Sequence, residues 1–376
     1  MKKKLLAVAV AGMFAAPAFA QTSVTISGMI KGGFENLKYA SSAKNPASQS
    51  GVVDDSSRII FNVVEDLGGG LQAIYQADMR WAIDSGTLAG TGNTHVGLRS
   101  KDWGRIFFGR QDLHYFNRES DLTVRGSLRA DSISLLAFAG GGGQAIAGAT
   151  RTPNVVHYTT PNWGGFTAIV AYSSNPGAAA EADIASGIRR GRAWNFNPNM
   201  AGANWQVGYS YWSSKNDGGA NTIATGDQRG DRLYGSYTWS GFKIGLAWDK
   251  SKIKGALNGL ELSNRTTWSL PVSYSWGNHT IQAHYDRAGA DKANVANAGS
   301  VQALNGNTDS KARMWAISYA YDLSKRTSAA LTYARINNGT GAAYTFFTSA
   351  ALGLGNVAPA LGEDPRMWAL TLRHAF

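Results

Sequence analysis

Arg366-Met367-Trp368-Ala369-Leu370-Thr371-Leu372-Arg373-His374-Ala375-Phe376 is the stretch on which the reading of this chain turns. Trp368, Leu370, Leu372, His374 and Phe376 share one register; Ala369, Thr371, Arg373 and Ala375 share the other. One face is greasy or aromatic and the other small or polar, the period of a strand. A soluble protein can end in such an amphipathic strand. In a membrane barrel the same strand has to pair with the first one, because an unpaired edge leaves backbone groups without partners in lipid. The rest of the chain decides between the two.

The alternation recurs upstream. Val24, Ile26, Ile30 and Phe34 share a face, with Thr25, Ser27, Lys31 and Glu35 on the other. Ile59, Phe61 and Val63 oppose Arg58, Asn62 and Val64. Leu71, Ala73, Tyr75, Ala77, Met79 and Trp81 oppose Gln72, Gln76, Asp78 and Arg80. The polar face is too wet for a soluble core and the apolar face too greasy for water, so polar inside and apolar outside, a barrel in lipid, is the arrangement that fits. Further strands are expected near His95–Ser100, Arg105–Gln111, Asn154–Thr160, Gly165–Ser174, Arg192–Asn197, Asn204–Lys215 and Gly230–Trp239. Others follow near Phe242–Lys252, Arg265–Trp276, His279–Arg287, Ala312–Asp322, Thr327–Asn337 and Arg366–Phe376, with Pro198 ending the poorly alternating Arg192–Asn197 segment early. The count is about sixteen, even as in bacterial barrels.

Connections alternate. Tight turns are expected at Gly68–Gly70, Lys101–Gly104, Pro161–Gly164, Pro198–Ala203, Ser240-Gly241, Gly277-Asn278 and Ser324-Lys325. Between them lie long polar linkers: Lys38–Ser57, Asp84–Thr94, Asp112–Pro153, Asn175–Gly191, Asn216–Arg229, Ile253–Asn264, Ala288–Lys311 and Asn338–Pro365. Long loops thus emerge on one side, the rule for membrane barrels with short periplasmic turns and long external loops, and not one for β-sandwiches. Trp81, Trp103, Trp163, Trp205, Trp239, Trp268, Trp276, Trp315 and Trp368 fall near strand ends, where interfacial aromatic belts would lie.

The N-terminus supplies an address. Lys2–Lys4, the apolar run Leu5–Ala16 and Ala18-Phe19-Ala20 read as a signal peptide, residues 1–20, cleaved to leave a single barrel domain over 21–376. Losing three lysines takes Lys+Arg from 36 to 33 against 25 acids, a net charge of about +8. There is no cysteine, so thiol catalysis, thiolate metal sites and a disulfide scaffold are excluded. The 45 glycines and 16% charged residues suit short strands and turns better than helices.

Enzyme signatures are wanting. His279 and His284, five apart, fall on opposite faces of a strand, poor metal geometry. No Gly-x-Ser-x-Gly elbow or His-Glu-x-x-His occurs, and a Ser/His pair such as His157 with Ser173 is undistinguished. The basic charge is dispersed along an exported chain, which argues against nucleic acid.

At the level of motifs the chain resembles the Gram-negative general porins, the betaproteobacterial subgroup in particular. Leu372-Arg373-His374-Ala375-Phe376 resembles their C-terminal strand. Val24-Thr25-Ile26-Ser27-Gly28, Glu65-Asp66-Leu67-Gly68 with Gly70-Leu71, Phe108-Gly109-Arg110-Gln111, and Arg151-Thr152-Pro153-Asn154-Val155 with Tyr158 and Pro161 follow in the family's order. The resemblance covers the whole mature chain. It implies an all-β, sixteen-stranded antiparallel transmembrane barrel in the outer membrane, assembled as a homotrimer, with the third long loop folded inward to narrow a water-filled pore. The partners it implies are outer-membrane lipid and lipopolysaccharide, the barrel-assembly machinery reached through the C-terminal strand, and small ions and solutes. Asp112–Pro153 is the longest linker and stands in the third loop's place; a linker this long without structure of its own is usually functional. Gly140–Gly143 make it greasier and floppier than the family's pattern. Asp84–Thr94 stands where a loop would reach a neighbouring subunit.

A diffusion channel needs neither catalytic group nor cofactor, only a lumen whose charges bias which ions dwell there. By strand parity Lys31, Arg58, Arg80 and Arg99 face the lumen. The resemblance adds Arg110 and Arg151 beside the inward loop, although Arg110 falls on the lipid register unless a bulge intervenes. Glu119 and Asp121 on the loop and Asp78 on the wall would be the opposing acids. Arginine stays charged when crowded by other cations, and the positive excess leans toward anions. The competing expectation is a barrel whose role is binding or adhesion through Lys38–Ser57, Ala288–Lys311 and Asn338–Pro365.

Overall fold

The computed structural model describes residues 22–39, 48–114, 125–136, 146, 149–176, 191–215, 227–254, 261–293, 309–347 and 359–376. Its strands are β1 (Ser23–Lys38), β2 (Ser48–Asp54), β3 (Arg58–Gly68), β4 (Leu71–Ala82), β5 (Thr87–Ser100), β6 (Gly104–Gln111), β7 (Thr152–Thr159) and β8 (Phe166–Ser173). Then come β9 (Arg192–Ala201), β10 (Trp205–Lys215), β11 (Gln228–Trp239), β12 (Phe242–Lys254), β13 (Glu261–Trp276), β14 (His279–Ala288), β15 (Ala312–Asp322), β16 (Thr327–Asn338) and β17 (Arg366–Ala375). β1 pairs antiparallel with both β2 and β3, each strand from β3 to β16 pairs antiparallel with the next, and β17 returns to β1, so the sheet closes.

Seventeen strands make sixteen wall positions, because β2 and β3 share one. β3 pairs with Ser23–Met29 and β2 with Gly32–Lys38 of the same β1. The break between them is Asp55–Ser57, where Ser56 takes φ 75° and the Asp54 carboxylate accepts from the N–H groups of Ser56 (2.8 Å) and Ser57 (3.2 Å). The linker expected over Lys38–Ser57 therefore supplies wall as well as loop.

Polarity is inverted relative to a soluble core. Val24 (64% exposed), Ile26 and Leu372 lie on the outer surface, whereas Lys31 (0%), Arg232 and Thr371 lie inside. The outer face can only be buried by lipid or a neighbour. Aromatics form a continuous girdle at the short-turn end, running Trp239–Phe242–Tyr274–Trp276–His279–Tyr321 with successive ring centroids 4.1–5.2 Å apart. Closure is made by Met29↔Ala375 through Lys38↔Arg366, and by reciprocal bonds between Gly28 and Phe376 (3.0 and 3.1 Å). The Phe376 ring lies over Gly28, so close that a Cβ there would sit 2.9 Å from its Cζ. Trp368, Leu370 and Leu372 of this closing strand face outward, as their register requires, and His374 donates or accepts at Thr327 Oγ1 through Nδ1 (2.9 Å).

Three expectations change. β9 runs through Pro198 to Ala201, so the expected turn at Pro198–Ala203 contracts to residues 202–204. Pro198 pairs with Ala168 on β8 but falls where the β9–β10 ladder has a gap, so its missing N–H leaves no carbonyl unserved. The connection expected over Asp84–Thr94 is a tight turn at residues 83–86, because β5 begins at Thr87 and two bulges lengthen the β4–β5 hairpin. The last long connection, Asn338–Pro365, is not wholly external: Ala342, Tyr344 and Phe346 are fully buried, against Leu135 and Ala130 of the third loop.

Candidate functional site

The third long loop, residues 112–151, leaves β6 and returns to β7. Its neck is tied by Asp112, whose carboxylate accepts from Thr150 Oγ1 (2.6 Å) and the Arg151 N–H (2.8 Å) while its own N–H donates to Asn93 Oδ1 (2.9 Å). Two residues on, His114 is fully buried against the inner faces of β10–β12. Its Nδ1 meets Ser210 Oγ at 2.8 Å, and its carbonyl accepts from Arg232, which also forks onto Asp249 at 2.8 Å. Burial and the neighbouring Arg232 cation hold this imidazole below its ordinary value, so it is neutral at pH 7. Leu113, Ile146 and Ala149 complete the anchor by joining Trp212, Val155 and Ile253 in an apolar cluster.

The middle of the loop crosses the lumen to the arc containing β13–β17 and β1. Single-turn 3₁₀ helices at Leu128–Ala130 and Ser132–Ser134 carry it. Glu35 accepts from Ser127 Oγ (2.8 Å) and Arg129 Nε (2.9 Å); Asp55 accepts from the Leu128 N–H (3.1 Å) and pairs with Lys31 (2.8 Å). Arg125 forks onto Asp322 with two bonds of 3.0 Å. His284 places Nε2 2.8 Å from the Ala130 carbonyl and Nδ1 2.6 Å from the Asp286 carboxylate. Arg265 reaches Tyr344 Oη (3.0 Å), and the Phe347 N–H donates to Ser134 Oγ (2.9 Å), so the final loop packs on the third.

The pairs Lys31–Asp55, Glu35–Arg129 and Arg232–Asp249 are all fully buried. Desolvation cancels much of their attraction, so they add little net stability. Breaking one is costly, though, and that fixes the loop in one position.

The expected site residues separate into groups. Arg58 and Arg80, directly opposite on β3 and β4, both donate to Ser56 Oγ (3.4 and 2.9 Å). Asp78 stands on the same wall, paired with Arg80 at 2.6 Å, so it neutralises a cation beside it instead of facing one across the pore. Lys31 lines the same side but is covered by the loop and committed to Asp55. Arg99 is elsewhere: it binds Gln72 (2.7 Å), eight residues along β4 from Arg80, or about 26 Å at about 3.3 Å per residue. There it lines a 720 Å³ recess at the short-turn end with Arg105 and Asp66. Arg110 keeps the outward register opposite Thr94, but a bulge at Gly109/Gln111 displaces it from β7, and its guanidinium donates to the Arg151 carbonyl (2.8 Å) and Thr91 Oγ1 (3.1 Å). Arg110 lies within electrostatic range of Arg151, Asp112 and Arg80, and among the described residues neither Arg110 nor Arg151 makes an ion pair. Glu119 and Asp121 lie outside the described residues.

The loop's anchors are the residues that strand reading missed. Arg232, Asp249, Arg265, His284 and Asp286 all sit on the inward register of their strands, so the same parity that singled out Lys31 marks them too.

A closed antiparallel barrel with an apolar exterior, a polar interior and a loop crossing its lumen is an outer-membrane channel of the porin type. The Gram-negative porin family model matches residues 7–341, and the chain belongs to that family. It is 29% identical to an outer membrane porin protein of Bordetella pertussis, over 87% of this chain and 92% of that one. An anion-selective porin from Comamonas acidovorans superposes with a TM-score of 0.74 at 20% identity, covering 95% of this chain and all of the other. OmpT of Vibrio cholerae in its trimer form superposes with a TM-score of 0.63 at 13% identity, covering 94% and 99%.

Proposed function

We propose that this outer-membrane porin is a passive diffusion channel for small hydrophilic solutes that prefers anions, and that it works as a homotrimer. The observation that carries the preference is Arg110 and Arg151, close together at the neck of the inward loop and, among the described residues, without an ion pair, beside Arg58 on the wall. Most of the other charges nearby are paired: Lys31 with Asp55, Arg129 with Glu35, Arg232 with Asp249 and Arg80 with Asp78, while the Asp112 carboxylate, within electrostatic range of Arg110, offsets part of the positive charge. A permeating anion therefore meets net positive charge where the loop narrows its path, and a cation meets repulsion.

The kinship with a porin described as anion-selective and a fold shared with a trimeric one favour the same reading. Glu119 and Asp121 would be the acids that temper the preference. Residues 1–20 would direct export and be removed.

Liposome swelling tests this. Proteoliposomes should swell faster in an anionic solute than in a cationic one of equal size, with neutral solutes between. Equal rates for the two ions would remove the preference, and no swelling in any solute would favour a barrel that binds through its loops.

A further inference from the structure

We infer that the buried segment of the final long loop, Ala342–Phe347, is a second constriction element, an assignment that rests on the diffusion-channel reading. It fills the mouth of the barrel against β14–β17 beside the third loop, so Tyr344 and Phe346 set the largest solute that passes. The inner face of this arc changes character with height. Toward the short turns it is polar, with Gln282, Ser318, Ser328 and Thr371 all buried on the inward register. Toward the long loops the same register carries Ala288, Met314, Ala334, Ile336, Met367 and Ala369, an apolar set.

An apolar inner wall is the opposite of what a water-filled lumen favours, and bare it would expose greasy surface to water at a free-energy cost. At the same end of the barrel the inner face of β3 and β4 carries Arg58, Asp78 and Arg80 instead. The apolar arc is dry because two loops cover it. Ala342, Tyr344 and Phe346 of the final loop and Ala130 and Leu135 of the third join the wall residues in one cluster, and all five are 0% exposed. Side chains buried this fully leave no water path along that arc among the described residues, so solutes cross on the side that bears Arg58 and Arg80.

The segment is held folded inward at both ends of its contact. The Asn338 side chain binds its backbone, accepting from the Tyr344 N–H (3.0 Å) and donating to the Tyr344 (2.9 Å) and Glu363 (2.6 Å) carbonyls. On the lumen side Arg265 of β13 donates to Tyr344 Oη (3.0 Å) and the Phe347 N–H donates to Ser134 Oγ (2.9 Å), while Thr267 donates to the Leu135 carbonyl (3.2 Å). Backbone groups that an apolar cluster would strand thus find partners. The crossing half of the third loop therefore rests on the final loop as well as on the wall, which makes Tyr344 and Phe346 positioning residues for it.

The test is liposome swelling with the full-length protein in a series of neutral sugars, from a pentose to a trisaccharide. Deletion of Ala342–Phe347 should raise the size limit, so that the trisaccharide rate relative to the pentose rate rises several-fold. Y344S/F346S should act in the same direction, whereas Y344F/F346L, which keeps the filling apolar, should retain the parent's profile. A folded, heat-modifiable deletion variant with the parent's size profile would overturn the assignment, as would Y344F/F346L widening the pore as much as the serine pair. A parent that swells in no sugar would overturn the channel reading, and the assignment with it. In the parent itself the Tyr344 and Phe347 amides should exchange hydrogen slowly, and exchange as fast as in a free peptide would overturn the inward-folded segment without recourse to any variant.

Discussion

Glu35→Ala is the substitution from which most can be learned. In the parent the Glu35 carboxylate, buried in the wall of β1, holds Ser127 and Arg129 of the inward loop at 2.8 and 2.9 Å. Truncation removes the carboxylate that pairs at 2.9 Å with the Arg129 guanidinium, a side chain 0% exposed in the docked loop. Removing one partner of a buried pair costs about 3–5 kcal/mol. Only the docked loop suffers this cost, because an undocked Arg129 reaches water. The docked-to-undocked ratio should therefore fall by about two to three and a half orders of magnitude. The barrel itself is held by its ladders and should still close. Single-channel recording should show raised open-channel noise and a larger mean conductance, while folded and heat-denatured bands still separate on a gel. A Glu35→Leu/Arg129→Met variant, which removes both charges, should return much of the way to the quiet parent trace. A folded Glu35→Ala channel with the parent's noise and conductance would refute the idea that buried ion pairs hold the loop.

Three further outcomes are expected. Arg110→Gln and Arg151→Gln should each reduce the chloride-to-potassium permeability ratio by about fivefold, from about 0.5 kcal/mol of Coulomb energy on each ion at about 8 Å in water; the zero-current potential reads this directly. Gly28→Val should destabilise closure by about 1–3 kcal/mol, because its side chain collides with the Phe376 ring and the neighbouring strand, and should lower the temperature at which the folded band disappears. The His114 ring is held below 6.5 by burial, so the undocked loop takes up the proton that the docked one refuses. Docking is then strongest above about pH 6.5 and weakens as pH falls below it. Acidification should raise channel noise in the parent and less so in His114→Gln.

Period-two alternation made the strands and their faces readable. Val24, Ile26 and Leu372 lie outside and Lys31 and Glu35 inside, where the parity of the sequence puts them. Alternation says nothing of what a lumen residue meets across the pore, and there the reading ran out. Lys31 looked like an open pore cation, but Asp55, carried inward by the break between β2 and β3, is its partner. Arg99 shares a parity with Arg80 but not its height, since parity gives the face of a strand and not the depth of the constriction. The proline reading of Pro198 failed because a barrel strand tolerates proline wherever a ladder gap leaves its nitrogen unneeded; Pro271 in β13 also falls in such a gap, between the Ile244↔Val272 and Ala247↔Ser269 pairs. The buried half of the final loop was illegible because its residues Ala342, Tyr344 and Phe346 pack in one cluster with Ala130 and Leu135, some two hundred positions away.

The most direct test of the account is the zero-current potential of single channels in a planar bilayer under a KCl gradient. The account predicts conductance that closes in groups of three and a potential whose sign reports chloride as the more permeant ion. A potassium-favouring sign in the intact channel would contradict the role given to Arg110 and Arg151, and an inserted barrel that passes no current would contradict the channel itself.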